Sequence, residues 1–316
     1  MKRLLLIIPV LIIAGCELVV EVDVPETGHQ LSMVGLIASD STWRVEVHQS
    51  TGILEFHSSF DSVTNATITI TDETAGTSTV LTRQFYGRYR SPENPIPGHQ
   101  YSIKVEAPGF ETLTGATGAP EEVPIKHAEL DTTTIVRYTM KGGRFDDTHP
   151  LTITFDDPVG SNTYETEVII DGHSIYLDNA TGDTIQYSYS SYAITYVSDP
   201  TIVEKKDFYN TDPNPHRFGD GAFEGQTKTL TILVPLYVFT YTYGEGNYFG
   251  TFLDKITVRL YNQGYEYAKF VDTRNIQRDT EGDPFAQPAP VYSNLDNRNG
   301  IFAVKTGSTY TWDLTK

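Results

Sequence analysis

Pro97-Gly98-His99-Gln100-Tyr101-Ser102-Ile103-Lys104-Val105-Glu106-Ala107-Pro108-Gly109-Phe110 joins a turn to a strand and that strand to a second turn. The Pro-Gly dipeptides punctuate it at both ends. Between them Tyr101, Ile103 and Val105 share one face, and Ser102, Lys104 and Glu106 share the other. That alternation marks a half-buried strand. It recurs on both sides, at Leu31–Ala38, Trp43–Gln49, Ala66–Thr71, Ser78–Gln84 and Glu111–Gly115, with Gly, Asn, Asp or Pro in the gaps. Short strands at this spacing predict a sandwich over residues 31–118.

The run at Tyr101 resembles the penultimate strand of sandwiches related to the transthyretin and immunoglobulin types. There a tyrosine at the strand start bonds back to the backbone and fixes the corner. Gly115 to Pro124 reads as a linker, and a second unit follows over 125–316. Its expected strands are Ala128–Tyr138, Leu151–Phe155, Thr163–Asp171, Ser174–Leu177, Ile185–Val197, Lys228–Tyr243, Lys255–Tyr261, Ile301–Lys305 and Tyr310–Leu314. One short helix is expected over Gly264–Ile276, and two long loops at Asp199–Gln226 and Arg278–Gly300. The fold class is therefore all-β: an N-terminal immunoglobulin/transthyretin-like sandwich, then a larger, mainly antiparallel β domain with long loops and one short helix.

Ahead of both units, Lys2-Arg3 precedes an apolar run and then Ile13-Ala14-Gly15-Cys16. A basic start, a short apolar stretch and small residues before the cut describe a signal peptide over 1–15. The run is too short to span a bilayer, which takes about 20 apolar residues. Cys16 is the one cysteine among 316 residues, and the segment resembles the bacterial lipobox, whose cysteine is acylated. The alternative is an ordinary signal peptide with an incidental cysteine. Residues 16–30 then form a lipidated tether, although Val20, Val22 and Val24 would also suit a first strand. Without Lys2 and Arg3 the chain has 21 basic against 41 acidic residues, a net charge of −20. That excludes electrostatic binding of nucleic acid or anionic lipid, so membrane attachment falls to the lipid anchor.

Asp283-Pro284-Phe285-Ala286-Gln287-Pro288-Ala289-Pro290-Val291-Tyr292-Ser293-Asn294, followed by Gly300-Ile301-Phe302, resembles the C-terminal signature of a Bacteroidota lipoprotein family known as domain of unknown function 4249. Tyr265-Glu266-Tyr267-Ala268-Lys269-Phe270 is similar to its aromatic helix. Phe218-Gly219-Asp220-Gly221-Ala222-Phe223-Glu224-Gly225 is similar to its loop before a long strand, and Val34-Gly35-Leu36-Ile37 to its opening strand. Asn297-Arg298-Asn299-Gly300 departs from the family's more glycine-rich turn. The resemblance implies an outer-membrane lipoprotein, often encoded beside a TonB-dependent transporter; it implies no established activity. Glu17-Leu18-Val19-Val20 matches poorly the acidic run that follows the cysteine in surface-exported lipoproteins of that phylum.

Enzyme motifs are scarce. Gly172-His173-Ser174-Ile175-Tyr176 lacks the second glycine of a serine elbow, and Gly219-Asp220-Gly221 with Gly225 is spaced too wide for a dinucleotide turn. The eight histidines are scattered, with His48 and His57 nearest in sequence. No catalytic residue and no cofactor are expected. Calcium has only a foothold: Asp279, Glu281 and Asp283 alternate, as do Asn210, Asp212 and Asn214, without the glycine turn and closing Glu of a complete loop. Asp40-Ser41-Thr42, Asp61-Ser62-Val63, Asp131-Thr132-Thr133 and Asp183-Thr184-Ile185 resemble the O-glycosylation signal of exported Bacteroidota proteins. Ser41, Ser62, Thr132 and Thr184 would carry the glycan, against ordinary turn chemistry.

Aromatics give the strongest binding signal. Along Lys228–Tyr243, Leu230, Ile232, Val234, Leu236 and Val238 fall on one face, and Leu233, Tyr237, Phe239, Tyr241 and Tyr243 on the other. Tyr187, Tyr189 and Tyr192 form a second group. Tyr237, Phe239, Tyr241 and Tyr243 are the candidate partner-binding residues, and the loops or a partner would cover them. The leading expectation is a non-enzymatic accessory protein associating with a TonB-dependent transporter or its ligand. An envelope hydrolase acting on glycans or peptides is the alternative, and a structural or adhesive envelope module the third. The anchor has a direct test: mass spectrometry of the membrane fraction is expected to find lipid on Cys16 at the mature N-terminus, and Cys16→Ser is expected to release the chain. Unmodified Cys16 in mature material would end this reading.

Overall fold

The computed structural model describes residues 29–51, 61–139, 145–178, 180–202, 216–237, 240–243, 247–280, 287 and 289–315. The segment read as a signal peptide, Cys16 and the expected tether up to residue 28 lie outside the described residues. The first strands are β1 (Leu31–Ala38), β2 (Arg44–Gln49), β3 (Thr67–Asp72), β4 (Thr77–Val80), β5 (Thr82–Arg83), β6 (Arg88–Arg90), β7 (Gln100–Glu106) and β8 (Leu113–Gly118). Next come β9 (His127–Leu130), β10 (Val136–Thr139), β11 (Phe145–Asp156), β12 (Thr163–Asp178), β13 (Asp183–Tyr192), β14 (Tyr196–Val197) and β15 (His216–Gly219). The last group is β16 (Thr227–Val234), β17 (Thr240–Tyr243), β18 (Asn247–Gln263), helix α1 (Tyr265–Thr280) and β19 (Gly300–Asp313). The fold is all-β in class, with strands mostly antiparallel and α1 the single helix among the described residues.

β7 forms as its alternation predicts. Tyr101, Ile103 and Val105 are buried and pack with Ile68 and Ile70 of β3 in one core. The Ile96 amide donates to the Tyr101 hydroxyl at 2.8 Å, so the tyrosine does pin the corner before its own strand. Trp43 meets the Tyr101 ring edge-on at 4.7 Å and lies 5.7 Å from Phe302. The sheet β4-β3-β7-β8 thus closes a sandwich against β1, β2 and β6.

That second layer is not made by residues 31–118 alone. One sheet runs β13-β12-β18-β19-β1-β2-β6-β5, crossing the expected boundary between 118 and 125. β19 pairs in parallel with β1 from Met33↔Gly300 to Ala38↔Lys305, then antiparallel with β18 from Gln263↔Lys305 to Lys255↔Asp313. Phe302 and Val304 enter the sandwich core, while Ile301 and Ala303 face Phe270 and Tyr267 of α1. A strand covered on both faces reads as a continuous apolar run, as Ile301-Phe302-Ala303-Val304 does. A separate core lies between β12 and β18 on one side (Tyr164, Val168, Ile256, Val258) and β11 and β16 on the other (Leu151, Ile153, Leu230, Ile232).

Several expected boundaries shift. The long strand Lys228–Tyr243 does not exist: β16 stops at Val234, before Pro235, and β17 joins β18 in the other sheet. Proline has no amide to continue a ladder. Thr163–Asp171 and Ser174–Leu177 merge into β12 through a bulge at Asp171/Gly172. Gly172 is no turn there; a Cβ on it would lie 2.2 Å from the Phe252 carbonyl oxygen. Likewise Ile301–Lys305 and Tyr310–Leu314 are one strand, and Gly307 makes room for the Tyr261 ring opposite it. The loop expected at 199–226 contains β15, and α1 extends through Thr280 into the loop expected from Arg278.

The segment before β19 is a clasp. The Asn294 side-chain amide donates to the carbonyls of Ala116 and Phe302, both at 2.6 Å, and its Oδ1 accepts from the Phe302 amide at 3.0 Å. Asn297 donates to the Leu31 carbonyl at 2.7 Å, and the Asn299 carbonyl accepts from the Met33 amide at 3.1 Å. Arg298 has φ +61°, a left-handed position that glycine fills more readily, at the place where the sequence departs from the glycine-rich turn. Gly300 has φ +127°, and a Cβ there would sit 1.9 Å from the Met33 carbonyl oxygen.

Asn294→Ala leaves backbone groups of β8 and β19 unpaired, at about 1–3 kcal/mol each where water cannot reach them. Urea unfolding is expected to show a loss of about 2–4 kcal/mol, and Gly300→Ala a loss of similar order. A change below about 1 kcal/mol for both would mean that the clasp does not hold β19.

Candidate functional site

Of the four aromatic residues singled out above, Tyr237 lies fully within the described residues. Phe239 lies outside them. Tyr241 and Tyr243 lie in β17, opposite Phe249 and Asn247, and their side chains fall outside what is described. The structure therefore builds its aromatic site around Tyr237 from other elements.

The β10–β11 hairpin sets Arg137 opposite Asp147 and Tyr138 opposite Asp146. Arg137 binds Asp147 at 2.9 Å and lies over the Phe145 ring, 5.9 Å from its centre. Tyr138 stacks on Tyr196 with centroids 3.8 Å apart. Tyr196 and Tyr237 both donate to Asp146, to Oδ2 at 2.6 Å and to Oδ1 at 2.8 Å. Arg137, Phe145, Asp146, Asp147 and Tyr237 border an open cleft of about 620 Å³, which His149 and Leu236 complete. Phe145 is 60% and Tyr237 54% exposed, so both rings face water across it.

Electrostatics hold the two phenols of the cleft in their protonated form. Burial and the bond to Asp146 push the Tyr237 phenol up to about 12 and that of Tyr196 higher still. Both phenols therefore stay donors at any ordinary pH. Arg137 holds the Asp147 carboxyl below its usual range. Since each Asp146 oxygen already accepts a phenol, the carboxylate is positioned as a fixed acceptor rather than a free base. Aromatic faces, an ion pair and a fixed carboxylate suit recognition.

A second cluster lies at the other end of β11 and β12. Asp157, Asp220 and Glu224 bring carboxylate oxygens within 4.8 Å of one another, with Asp157 and Asp220 buried. These are the residues that could hold a hard cation. Four of their six oxygens already accept hydrogen bonds: Tyr164 and the Gly225 amide donate to Asp157, the Asn162 amide to Asp220, and the Gly160 amide to Glu224. The calcium candidates from the sequence fall elsewhere. Asp279 is exposed in the last turn of α1, while Glu281 and Asp283 lie outside the described residues.

The four hydroxyls considered for glycosylation are not brought together. Ser41 is exposed in the turn after β1, and Thr184 is exposed on β13. Ser62 is half-buried and bridges to His48. Thr132 is exposed beside Asp131, whose Oδ1 accepts from the Thr133 and Thr134 amides at 2.8 and 3.0 Å.

Residues 18–311 match the family described as Domain of unknown function (DUF4249). The chain belongs to that family. No curated protein matches it. Within the DUF4249 frame, the stretches that carried the resemblance have structural roles. Asn294 and Gly300 form the clasp, Tyr267 packs against β19, and Asp220 and Glu224 supply two of the three clustered carboxylates.

Sequence reasoning found Tyr237 but missed Arg137, Tyr138, Phe145, Asp146 and Tyr196. The signal was present: Gly142-Gly143 between two short alternating runs is a hairpin cue. The phenol–carboxylate contact is testable by ultraviolet titration. The difference between wild type and Tyr237→Phe is expected to report one phenol titrating near 12. In Asp146→Asn that midpoint is expected to fall toward the ordinary tyrosine value of about 10. An unmoved midpoint would leave burial as the whole cause and remove Asp146.

Proposed function

We propose that this protein is a lipid-anchored, non-enzymatic accessory protein of the outer membrane, and that it binds a TonB-dependent transporter or that transporter's ligand through the Tyr237 cleft. The observation that carries the reading is the pair of exposed rings, Phe145 and Tyr237, framing an open cleft above a carboxylate held by two phenols. Exposed aromatic rings beside an arginine ion pair are the composition of an interface hot spot. The lipobox-like segment at Cys16 supports the anchor, and the family resemblance supplies the transporter. Asp146 supports recognition over hydrolysis, because both of its oxygens are engaged by donors that do not titrate in the physiological range.

The test is Phe145→Ala with Tyr237→Ala, made in the native host. Wild type is expected to co-purify in stoichiometric amount with an outer-membrane barrel that mass spectrometry identifies as a TonB-dependent transporter. Truncating two central rings costs about 2 kcal/mol or more, roughly 30-fold in affinity. The double variant should therefore lose the partner while melting as wild type does. A partner retained at full stoichiometry by the folded variant would move the interface away from this cleft.

A further inference from the structure

A different cavity, of about 240 Å³, opens on the outer face of the long sheet beside α1. Its floor is a buried ion network. The Lys305 ammonium, on a residue 8% exposed, lies 2.5 Å from Glu165, 3.4 Å from Glu167 and 3.8 Å from the centre of the Tyr261 ring. Those two carboxylates over-neutralise one lysine, and Arg259 restores the balance from 3.9 Å. The floor is therefore settled within itself, and the walls above it are not.

Arg259 reaches Asp40 only at 3.6 Å through Nε, and that buried nitrogen has no hydrogen-bond partner among the described residues. Good guanidinium–carboxylate pairs close at about 2.7–2.9 Å. Arg44, which also lines the cavity, makes no ion pair among the described residues. In the β2–β6 register it stands directly opposite Arg90. Like charges set opposite one another destabilise a sheet. Arg90 Nε is in turn bonded to the Thr42 hydroxyl at 2.6 Å, and Thr42 and Ser41 line the same cavity. Arg259 is thus divided between Glu167 and Asp40 with its Nε unbonded, and Arg44 has no carboxylate of its own among the described residues. An anion placed between Arg44 and Arg259 would satisfy both.

The rest of the lining narrows the ligand. Ser41 and Thr42 offer hydroxyls and Asp40 an acceptor carboxylate, and Tyr192, 63% exposed, stands at the rim with an open ring. Hydroxyl-rich ligands use such donors and acceptors, with their apolar ring face against an aromatic side chain. The volume is below the roughly 300 Å³ at which drug-sized pockets begin, so the occupant is about the size of a monosaccharide. We propose that this cavity binds a small sugar acid, its carboxylate between Arg44 and Arg259 and its hydroxyls toward Asp40, Ser41 and Thr42. The site is separate from the Tyr237 cleft and does not depend on the transporter reading.

Calorimetric titration of the detergent-solubilised full chain with D-glucuronate, D-glucose and inorganic phosphate tests it. Glucuronate is expected to bind at least about tenfold more tightly than either of the others, because glucose lacks the carboxylate and phosphate lacks the hydroxylated ring. Arg44→Gln, a change at an exposed residue, is expected to weaken glucuronate about tenfold or more without lowering the melting temperature. Arg259→Gln should do the same in whatever fraction folds, and Lys104→Gln, at an exposed position on β7 in the opposite sheet, should change nothing. Absence of glucuronate binding would overturn the proposal. So would glucose binding as tightly as glucuronate, because the arginines would then play no part. Phosphate binding as tightly as glucuronate would leave only a general anion site, and the sugar-acid assignment would fall. Glucuronate affinity unchanged in Arg44→Gln would place any binding elsewhere.

Discussion

β19 is the strand on which both cores depend. Its first half completes the sandwich beside β1, and its second half extends the sheet beside β18. Ile301 to Val304 are buried on alternating sides by two different neighbours, the sandwich core and α1. A slip of one residue would exchange these faces and bury the wrong set in each. The Asn294 amide, bonded to Phe302 through both its donor and its acceptor, acts as a short side-chain surrogate for a strand and sets the register where β19 begins. Gly300 then admits the Met33 carbonyl into space that a Cβ would fill.

Lys305 stands at the residue where β19 exchanges one neighbour for the other, opposite both Ala38 and Gln263. Burial by itself would lower its pKa, but Glu165, Tyr267 and Glu167 outweigh that and raise it, so the ammonium stays charged. Gln263 reaches Glu165 from β18, and Arg217 of β15 binds Gln263 at 2.9 Å and Asp272 of α1 at 3.0 Å. Four strands and the helix are tied through this polar chain. Such networks are weak evidence for stability, since apolar replacements are often as stable; their better-attested effect is to disfavour alternative registers. That is the need at a strand shared between two sheets.

Much of this architecture is legible in the sequence, because half-buried strands alternate and α1 lacks proline. The strand at Leu31–Ala38, the corner at Tyr101 and the helix all follow from local pattern. Two prolines whose effect local pattern does not reveal explain why the aromatic cleft does not. Pro150 looks like a boundary, yet it lies inside β11, between the residues that pair with β10 and those that pair with β9, where no amide is required on that side. Pro235 looks tolerable within an apolar run, yet it ends β16. With Pro150 taken as a boundary the hairpin carrying Phe145 and Asp146 disappears, and with Pro235 ignored Tyr237 joins the wrong neighbours. The cavity at Arg44 is harder still, since it gathers β1, β2, β12, β13, β18, α1 and β19 through pairings between distant parts of the chain.

The parallel contact between residues 33–38 and 300–305 also sets a timetable. A strand pair separated by most of the chain carries the largest loop-closure entropy in the molecule, and topologies dominated by such contacts fold slowly. During synthesis from the N-terminus, β1 emerges among the first strands and meets β19 among the last. Throughout that interval β1 presents an unpaired edge with Leu31, Met33 and Ile37 unburied on one face, the kind of surface that recruits stray strands. Any cell that makes this protein must shield that edge until some 260 further residues have arrived.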